Sequence, residues 1–489
     1  MADQLGAGWT PPYGQATVRA PAITALADAG VVFDNAYCAS PLCAPSRAAL
    51  LTGRLPSRLG VYDNAAELRA SEPTVAHRLR AAGYATCLSG KMHFVGPDQL
   101  HGFEQRLTTD VYPADLEWTP DWRLGPEERL PWYHTMESVL EPGVCTASMQ
   151  MDYDAEVAHR AVRKLHDLAR GTGEQPFFLC VSFTHPHDPW ELHRSYWDRY
   201  DPDAIDLPAV GTIPRAEADP HSLRLRAMVG IDAAAPTDAQ VRRARHGYFA
   251  GISFLDDRID TVLGALAETG LAEDTIVVFT ADHGELLGER GLWYKMAFFE
   301  PAARVPLIVR APGARAARVP TPVSQLDLAP TLLELCGVEP AGGVDGRSLA
   351  PALAGDALPP ADVPAEYLAE GVTAPAVMLR RGRHKYVRCG YDPELLFDVE
   401  ADPHELENRA AADTEACAKL RAAVDARWDL AALEAEVLHS QAERRIVVAA
   451  QRVGRPPRWS FVPAPDVPEL RGADDLYAFQ RRARLDSPE

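Results

Sequence analysis

The apolar and polar positions of the 489-residue chain follow helical and strand periodicities in alternation, which is typical of a layered α/β fold. Two continuously apolar runs, 177–183 and 275–280, predict strands that are buried on both faces of a sheet. Further strands are predicted over 31–33, 84–88 and 305–310, and helices over 21–30, 44–53, 74–83, 155–169, 238–268, 325–336 and 411–450. We therefore expect one large mixed, mostly parallel sheet sandwiched by helices.

A stretch rich in glycine, proline and alanine, 337–363, interrupts these patterns and indicates a domain boundary. Beyond it, 375–378 and 384–388 are predicted to form antiparallel strands. We therefore predict a large domain over 1–362 and a smaller α+β domain over 363–489, which ends in a tail of weak periodicity.

Composition excludes several classes of protein. The net charge of -20, from 49 basic and 69 acidic residues, repels phosphate backbones and predicts no binding to nucleic acid. The chain has no run of about 20 apolar residues and no basic segment followed by an apolar one at its start, so we expect neither a membrane span nor a signal peptide. The eight cysteines include no C-x-x-C pair, which argues against a zinc ribbon and predicts free thiols in a cytoplasmic protein.

Clusters of reactive polar side chains follow the predicted strands, at 38–47, 91–93, 185–187 and 282–283. In open α/β sheets, ligands collect outside the carboxyl ends of the strands. We therefore expect these clusters to converge on one active site.

The segment 43–47, with the sequence CAPSR, opens a predicted helix. The free N–H groups and the dipole of a helix N-terminus stabilise an oxyanion beside Cys43, and Arg47 lies one turn further on, where it can bind the same anion. An ordinary helix start with a buried cysteine is the alternative. The segment matches the pattern C-x-P-S-R of type I sulfatases, so the chain resembles that family.

Further segments occur in the order found in that family, which belongs to the alkaline phosphatase-like superfamily. They are Asp3-Gln4, Lys91-x-His93, His187 in THPHDP, Asp282-His283-Gly284-Glu285 and Lys295 in WYK. His185 competes with His187 for the catalytic role, and a structural hydrogen bond is the other reading of His185.

The resemblance implies a catalytic set that comprises Cys43, Arg47, Lys91, His93, His187 and Lys295. In the family a maturation enzyme oxidises the cysteine to formylglycine, and the hydrated aldehyde attacks sulfur. Lysine neutralises the sulfate oxygens, and His93 takes the diol proton, since imidazole titrates near neutrality. His187 is expected to donate a proton to the leaving oxygen, near which Lys295 lies.

The resemblance also implies a metal site made of Asp3, Gln4, Cys43, Asp282 and His283. Such an oxygen-rich set suits Ca²⁺, with Mg²⁺ and Mn²⁺ as alternatives, more than Zn²⁺. The family has an apolar strand before its first metal-binding aspartate, and that strand is missing here. We therefore expect Asp3 to lie on a frayed end. In that case either the start codon was assigned too late or the metal site is weakened.

Several segments are similar to those of choline sulfatases, namely 31–47, 88–103, 107–115 and 366–371. A quaternary ammonium group is recognised by aromatic faces and a carboxylate. The resemblance assigns this role to Trp118 and Glu370, with His134 beside them. One departure is Thr135, where that subfamily is expected to have asparagine.

The resemblance implies choline sulfate as substrate and a homo-oligomer, either dimer or tetramer, that uses the C-terminal extension for subunit contacts. Trp459 and Phe461 lie in that extension. Two alternatives stay open, namely a phosphonate monoester or phosphodiester hydrolase of the same superfamily and a non-catalytic relative that binds choline.

Overall fold

The computed structural model describes residues 1–125, 128–171, 175–339, 342–455 and 458–463. The helices are α1 (Pro21–Ala29), α2 (Cys43–Thr52), α3 (Pro56–Leu59), α4 (Val75–Ala81), α5 (Glu137–Leu140), α6 (Met149–Arg170), α7 (Arg194–Trp197), α8 (Pro220–Val229), α9 (Ile231–Ala234), α10 (Asp238–Glu268), α11 (Glu300–Ala303), α12 (Leu328–Leu335), α13 (Ala350–Leu353), α14 (Thr414–Arg427) and α15 (Leu430–Gln451).

The strands are β1 (Val31–Phe33), β2 (Ala36–Tyr37), β3 (Ala85–Gly90), β4 (Gln105–Arg106), β5 (Gly143–Cys145), β6 (Phe177–Ser182), β7 (Glu191–His193), β8 (Val277–Thr280), β9 (Arg304–Val305), β10 (Leu307–Arg310), β11 (Ala317–Val319), β12 (Val323–Ser324), β13 (Val363–Tyr367), β14 (Ala376–Arg381), β15 (His384–Cys389) and β16 (Leu395–Asp398).

The first three residues join the two parts of the central sheet. In one part β3 pairs in parallel with β4 and β6. In the other, β10 pairs antiparallel with β1 and β8, and β1 pairs in parallel with β11. Between them, Ala2 forms a parallel bridge with Ala281, and the N–H of Phe183 donates to the carbonyl oxygen of Met1 at 3.0 Å. The predicted mixed, mostly parallel sheet is confirmed.

Helices cover both faces of this sheet, as β6 illustrates. Phe177 and Leu179 pack on α6 and α10, whereas Phe178 and Cys180 pack against α4, β3 and α12. These side chains are half-buried, although their apolar run predicted full burial. Met1–Asp3 pairs with only the C-terminal end of β6. Among the described residues, the N-terminal half of β6 therefore has no strand on that side, which leaves its side chains partly exposed.

The smaller antiparallel sheet has the order β13-β14-β15-β16, and its two middle strands are those that the sequence predicted. The single helix predicted over 411–450 is wrong, because Trp428 and Asp429 separate α14 from α15. The buried indole of Trp428 donates to Glu366 Oε1 at 2.6 Å, and the Asp429 side chain accepts from the N–H of Ala432 as the N-cap of α15. Among the described residues, no helix is both long and apolar enough to cross a membrane.

Candidate active site

Helix α2 begins at Cys43 because the residue before it, Leu42, is extended, with φ of -157° and ψ of 144°. Pro45 suits the first turn, where its missing N–H leaves no hydrogen bond unmade. The Cys43 thiol is buried, and burial, followed by the charge of Asp3, raises its pKa to about 11. A protonated thiol therefore lies at the helix N-terminus at neutral pH.

Arg47, one turn into α2, is buried and connects three strand ends. Its Nε donates to Asp282 Oδ2 at 2.8 Å, and its Nη1 donates to the Lys91 carbonyl oxygen at 2.6 Å and to Ser182 Oγ at 2.9 Å. Its Nη2 lies 3.7 Å from Asp3 Oδ2 and has no hydrogen-bond partner among the described residues. This unsatisfied donor is available to an anion.

Asp3 is held inside the sheet, so the expectation of a frayed end is wrong. Its N–H donates to the His185 carbonyl oxygen at 3.4 Å, and its side chain is fully buried. Its Oδ2 accepts from Lys91 Nζ. Burial opposes ionisation, but the positive charges around Asp3, Lys91 first among them, together outweigh it and hold the pKa of Asp3 well below its ordinary value.

The residues Asp3, Cys43, Asp282 and His283 each bring a possible ligand atom within 4.8 Å of the others, and all are buried. Nδ1 of His283 donates to the Gly284 carbonyl oxygen at 3.0 Å, so Nε2 keeps its lone pair, 3.2 Å from Cys43 Sγ. Burial lowers the pKa of His283 to about 4. A neutral imidazole beside carboxylates fits a divalent cation.

Gln4 lies beside this group and connects it to Lys295. Its N–H donates to Asp282 Oδ1 at 3.0 Å, and its amide Nε2 donates to Glu285 Oε2 at 2.6 Å. Its amide oxygen accepts from Lys295 Nζ. In this arrangement the Gln4 amide oxygen faces the lysine.

His187 and Lys295 form a second polar group. Nδ1 of His187 lies 2.7 Å from the Asp188 carbonyl oxygen, which only accepts, so Nδ1 carries the ring proton and Nε2 accepts from Lys295 Nζ at 2.8 Å. Burial lowers the pKa of His187 well below its ordinary value. Burial also disfavours the Lys295 ammonium, but Cys43 and Asp188 outweigh it and raise its pKa. A neutral imidazole thus faces a charged ammonium.

His185 lies in the packing between two helices. Its backbone N–H donates to Asp154 Oδ2 at 2.9 Å, its Nδ1 lies 2.7 Å from the same oxygen, and its ring is 4.5 Å from that of Phe254. Asp154 belongs to α6 and Phe254 to α10. Of the two candidate histidines, His187 is the one in contact with Lys295.

Lys91 and His93 follow β3 in a segment that Asp110 holds. The N–H groups of Met92 and His93 both donate to Asp110 Oδ2 at 2.9 Å, and Arg106 donates to it at 2.6 Å. Both ring nitrogens of His93 are buried without a hydrogen-bond partner in the part of the chain that the structure describes. Burial lowers the pKa of His93 to about 3, so the ring is neutral at neutral pH and one of its nitrogens carries a free lone pair.

Tyr112 lies between His187 on one side and the Lys91–His93 segment on the other, and the sequence did not single it out. Its hydroxyl lies 3.2 Å from His187 Nε2, and its ring centroid lies 4.0 Å from Lys91 Nζ and 4.9 Å from the His93 ring. A tyrosine in a Val-Tyr-Pro loop has no spacing that distinguishes it from a packing residue. Asp110 was missed for the same reason.

A row of aromatic rings continues from Tyr112. The Trp118 ring lies 5.1 Å from Tyr112 and 5.8 Å from His93, and it stacks on Trp132 at 6.3 Å. Trp132 contacts Tyr133 edge-on at 4.5 Å. We call these four residues, Tyr112, Trp118, Trp132 and Tyr133, the aromatic row; such faces bind cations that cannot donate hydrogen bonds.

Glu370 is buried, and its Oε2 has no hydrogen-bond partner among the described residues. Its backbone is fixed, because Tyr367 Oη donates to its carbonyl oxygen at 2.6 Å and Trp122 Nε1 donates to that of Ala369 at 2.7 Å. Burial raises the pKa of Glu370 to about 7. Burial, and after it the charge of Glu370, raises the pKa of Tyr133, so this carboxyl group acts electrostatically on the Tyr133 end of the aromatic row.

His134 completes this side of the site, with its ring 6.1 Å from His187 and 4.7 Å from Tyr294. Thr135 is exposed, and its Oγ1 accepts from the N–H of Glu137 at 3.4 Å. The departure at position 135 therefore concerns an exposed side chain that bonds within its own turn.

Family models and known proteins match the parts of the chain that carry these residues. The family model described as Sulfatase matches residues 1–338, and the one described as N-sulphoglucosamine sulphohydrolase, C-terminal, matches residues 288–429. The chain is 47% identical over 502 residues to the choline-sulfatase of Rhizobium meliloti (strain 1021), covering 100% of this chain and 96% of that protein. It is 32% identical over 331 residues to human iduronate 2-sulfatase, covering 63% and 58%.

Solved structures share the fold. The phosphonate monoester hydrolase of Agrobacterium radiobacter superposes with a TM-score of 0.69 at 25% identity, covering 89% of this chain and 95% of that one. A 2-O GAG sulfatase superposes with a TM-score of 0.68 at 23% identity, covering 97% and 98%.

Proposed function

The chain belongs to the sulfatase family and hydrolyses sulfuric esters, and we propose that choline sulfate is its substrate. The observation that carries the proposal is the buried carboxyl group of Glu370 beside the aromatic row. A quaternary ammonium group has no N–H that could donate a hydrogen bond to Glu370 Oε2, but its positive charge compensates the buried carboxylate. The likeness to the choline-sulfatase of Rhizobium meliloti, along the whole chain, supports the same substrate.

The sulfate end of the substrate is proposed to lie between the N-terminus of α2 and the Lys91–His93 segment. There the free Nη2 of Arg47 and the ammonium group of Lys91 stabilise negative charge on the sulfate oxygens. One of the two unpartnered ring nitrogens of His93 accepts a proton from residue 43 during turnover.

The leaving oxygen is proposed to lie at His187 and Lys295. The Lys295 ammonium is held by the Gln4 amide oxygen and by His187 Nε2, so the pair holds one proton between two nitrogens 2.8 Å apart. His187 Nδ1 keeps its own proton against a carbonyl oxygen, so the proton that passes to the leaving alkoxide is the one that Lys295 Nζ shares with His187 Nε2. Tyr112 keeps the ring oriented toward it.

We propose that Cys43 is converted to formylglycine by a maturation enzyme and that Asp3, Gln4, Asp282 and His283 hold a divalent cation together with residue 43. The two carboxylates and the single neutral imidazole favour Ca²⁺, with Mg²⁺ and Mn²⁺ as alternatives. When present, the aldehyde hydrate supplies the nucleophilic hydroxyl group and the cation lowers its pKa.

The other proposals concern the setting of the reaction. We propose domains over 1–362 and 363–489, a cytoplasmic location, and a dimer or tetramer. Trp459 packs on Val95, Leu116 and Val448 of its own chain and is partly buried there, and most of the extension lies outside the described residues.

The test compares hydrolysis of choline sulfate, 4-nitrophenyl sulfate and a phenyl phosphonate ester by the converted protein, with conversion verified by intact mass. We expect the highest kcat/KM on choline sulfate, no turnover by Cys43→Ala, and full activity in the matched control Cys38→Ala, whose thiol is also buried and free. A faster rate on the phosphonate ester would favour a phosphonate monoester hydrolase, and equal activity of Cys43→Ala would contradict the mechanism. A converted protein that binds choline without turning over any of the three would be a non-catalytic relative.

A further inference from the structure

The atoms around the unconverted Cys43 thiol have the composition of a site for a thiophilic ion. They are one sulfur, one imidazole nitrogen and two carboxylate oxygens, from Cys43, His283, Asp3 and Asp282. Zn²⁺ binds this combination of sulfur, nitrogen and oxygen donors, whereas Ca²⁺ and Mg²⁺ prefer oxygen alone. The donor set therefore depends on the chemical state of one residue.

The spacing of these atoms fits a tetrahedral ion. Bonds of roughly 2.0–2.3 Å to zinc place neighbouring ligand atoms about 3.3–3.8 Å apart. Cys43 Sγ lies 3.2 Å from His283 Nε2 and 3.8 Å from Asp3 Oδ1, and His283 Nε2 lies 3.8 Å from Asp3 Oδ1 and 3.7 Å from Asp282 Oδ2. These four distances lie close to that range, and all four donors lie within 4.8 Å of one another.

His283 and Asp3 are held by groups that leave their ligand atoms free, whereas Asp282 Oδ2 also accepts from Arg47 Nε at 2.8 Å. His283 Nδ1 donates to the Gly284 carbonyl oxygen, so the Nε2 lone pair faces the sulfur. Lys91 holds Asp3 through Oδ2 and leaves Oδ1 toward the site. All four ligand residues are buried, so little reorganisation is needed when an ion binds.

We propose that the unconverted chain binds Zn²⁺ through Cys43, His283, Asp3 and Asp282, and that conversion of Cys43 to the aldehyde abolishes this preference by removing the sulfur ligand. Binding releases the thiol proton to solvent and forms the zinc–sulfur bond. The converted site keeps the two carboxylates and the imidazole, which are suited to a hard cation. The inference concerns the thiol form and does not depend on choline sulfate as substrate.

The test is a titration of metal-free, unconverted full-length protein with Co²⁺, the usual spectroscopic substitute for Zn²⁺. We expect the ultraviolet charge-transfer absorption of a cobalt–thiolate bond, which then disappears as Zn²⁺ displaces the cobalt. Competition with a chromophoric chelator gives the zinc affinity, which we expect to be at least tenfold lower in the converted protein and in His283→Asn.

Two variants separate the site from other thiols. Cys43→Ser, nearly isosteric, should fold with an unchanged circular dichroism spectrum and lose the thiolate band, whereas Cys38→Ala should keep it. Absence of the band in the unconverted protein, or its persistence in Cys43→Ser, would overturn the inference. A converted protein that hydrolyses choline sulfate while its thiol form shows no band would refute this inference alone and leave the proposed function intact.

Discussion

Replacing Glu370 by glutamine removes one charge from the proposed substrate site without changing its size. Glu370 is buried and its Oε2 has no hydrogen-bond partner among the described residues, so its charge acts on the cation with little screening by water. A carboxylate about 5 Å from a quaternary nitrogen, at an effective dielectric constant of about 20, contributes about 3 kcal/mol. We therefore expect kcat/KM for choline sulfate to fall roughly 100-fold.

The assay measures kcat/KM for choline sulfate and for 4-nitrophenyl sulfate, which has no cation, in the same preparations. We expect the neutral-alcohol ester to lose less than about threefold, since the sulfate contacts are unchanged. Glu366→Gln is the matched control, because Glu366 is an equally buried carboxyl group that accepts from Ser57 and Trp428 instead. Its replacement should lower stability and leave the ratio of the two substrates unchanged.

The same group sets the pH dependence of substrate preference. Burial raises the pKa of Glu370 to about 7, so the carboxyl group is neutral below that pH and charged above it. Preference for choline sulfate over the aryl ester should therefore rise with pH through about 7 in the native protein and stay flat in Glu370→Gln. Equal losses on both substrates, or an unchanged pH profile of their ratio, would refute the role of Glu370.

Four further substitutions, in three tests, examine other parts of the site. Tyr112→Phe removes the hydroxyl group that bonds to His187 and should lower kcat roughly 5–10-fold with little change in KM, measured by steady-state kinetics; an unchanged kcat would show that the ring alone matters. Asp3→Asn leaves the buried Lys91 without its carboxylate and should cost about 3–5 kcal/mol of unfolding free energy in urea denaturation, and a loss below about 1 kcal/mol would contradict the buried pairing. His185→Asn should lower the free energy of unfolding by about 1–3 kcal/mol and leave the dependence of kcat on leaving-group basicity unchanged, whereas His187→Ala should steepen that dependence. A steeper dependence in His185→Asn would assign the proton-donating role to His185 instead of His187.

The elements that the sequence predicted well are those whose signals are local. Helix α10 has the predicted bounds because a long amphipathic pattern begins at a capping box, with Thr237 and Gln240 bonded reciprocally. The break between α14 and α15 was missed because the apolar residue there, Trp428, is drawn into the core by Glu366, some sixty positions earlier in the chain. A helical pattern alone does not contain that contact.

The same division holds for the active site. Cys43, His187 and Asp282 could be placed near one another from the sequence, because each follows a strand of a mostly parallel sheet. Tyr112 and Asp110 could not, because their roles depend on which loop lies over the Lys91 segment. The buried position of Asp3 was also mispredicted, because it results from pairing with strands at residues 177–182 and 277–280.

The position of Met1–Asp3 between β6 and β8 has a consequence for the order of folding. The Met1 ammonium donates to the carbonyl oxygen of Val181, 180 positions away, and the N–H of Gln4 donates to Asp282 across 278 positions. Contacts so distant in sequence close large loops and form slowly. We expect the proposed metal ligands Asp3, Asp282 and His283 to come together only in the last folding step, which joins the two parts of the sheet. Chains trapped before that step should contain native helices but bind no metal.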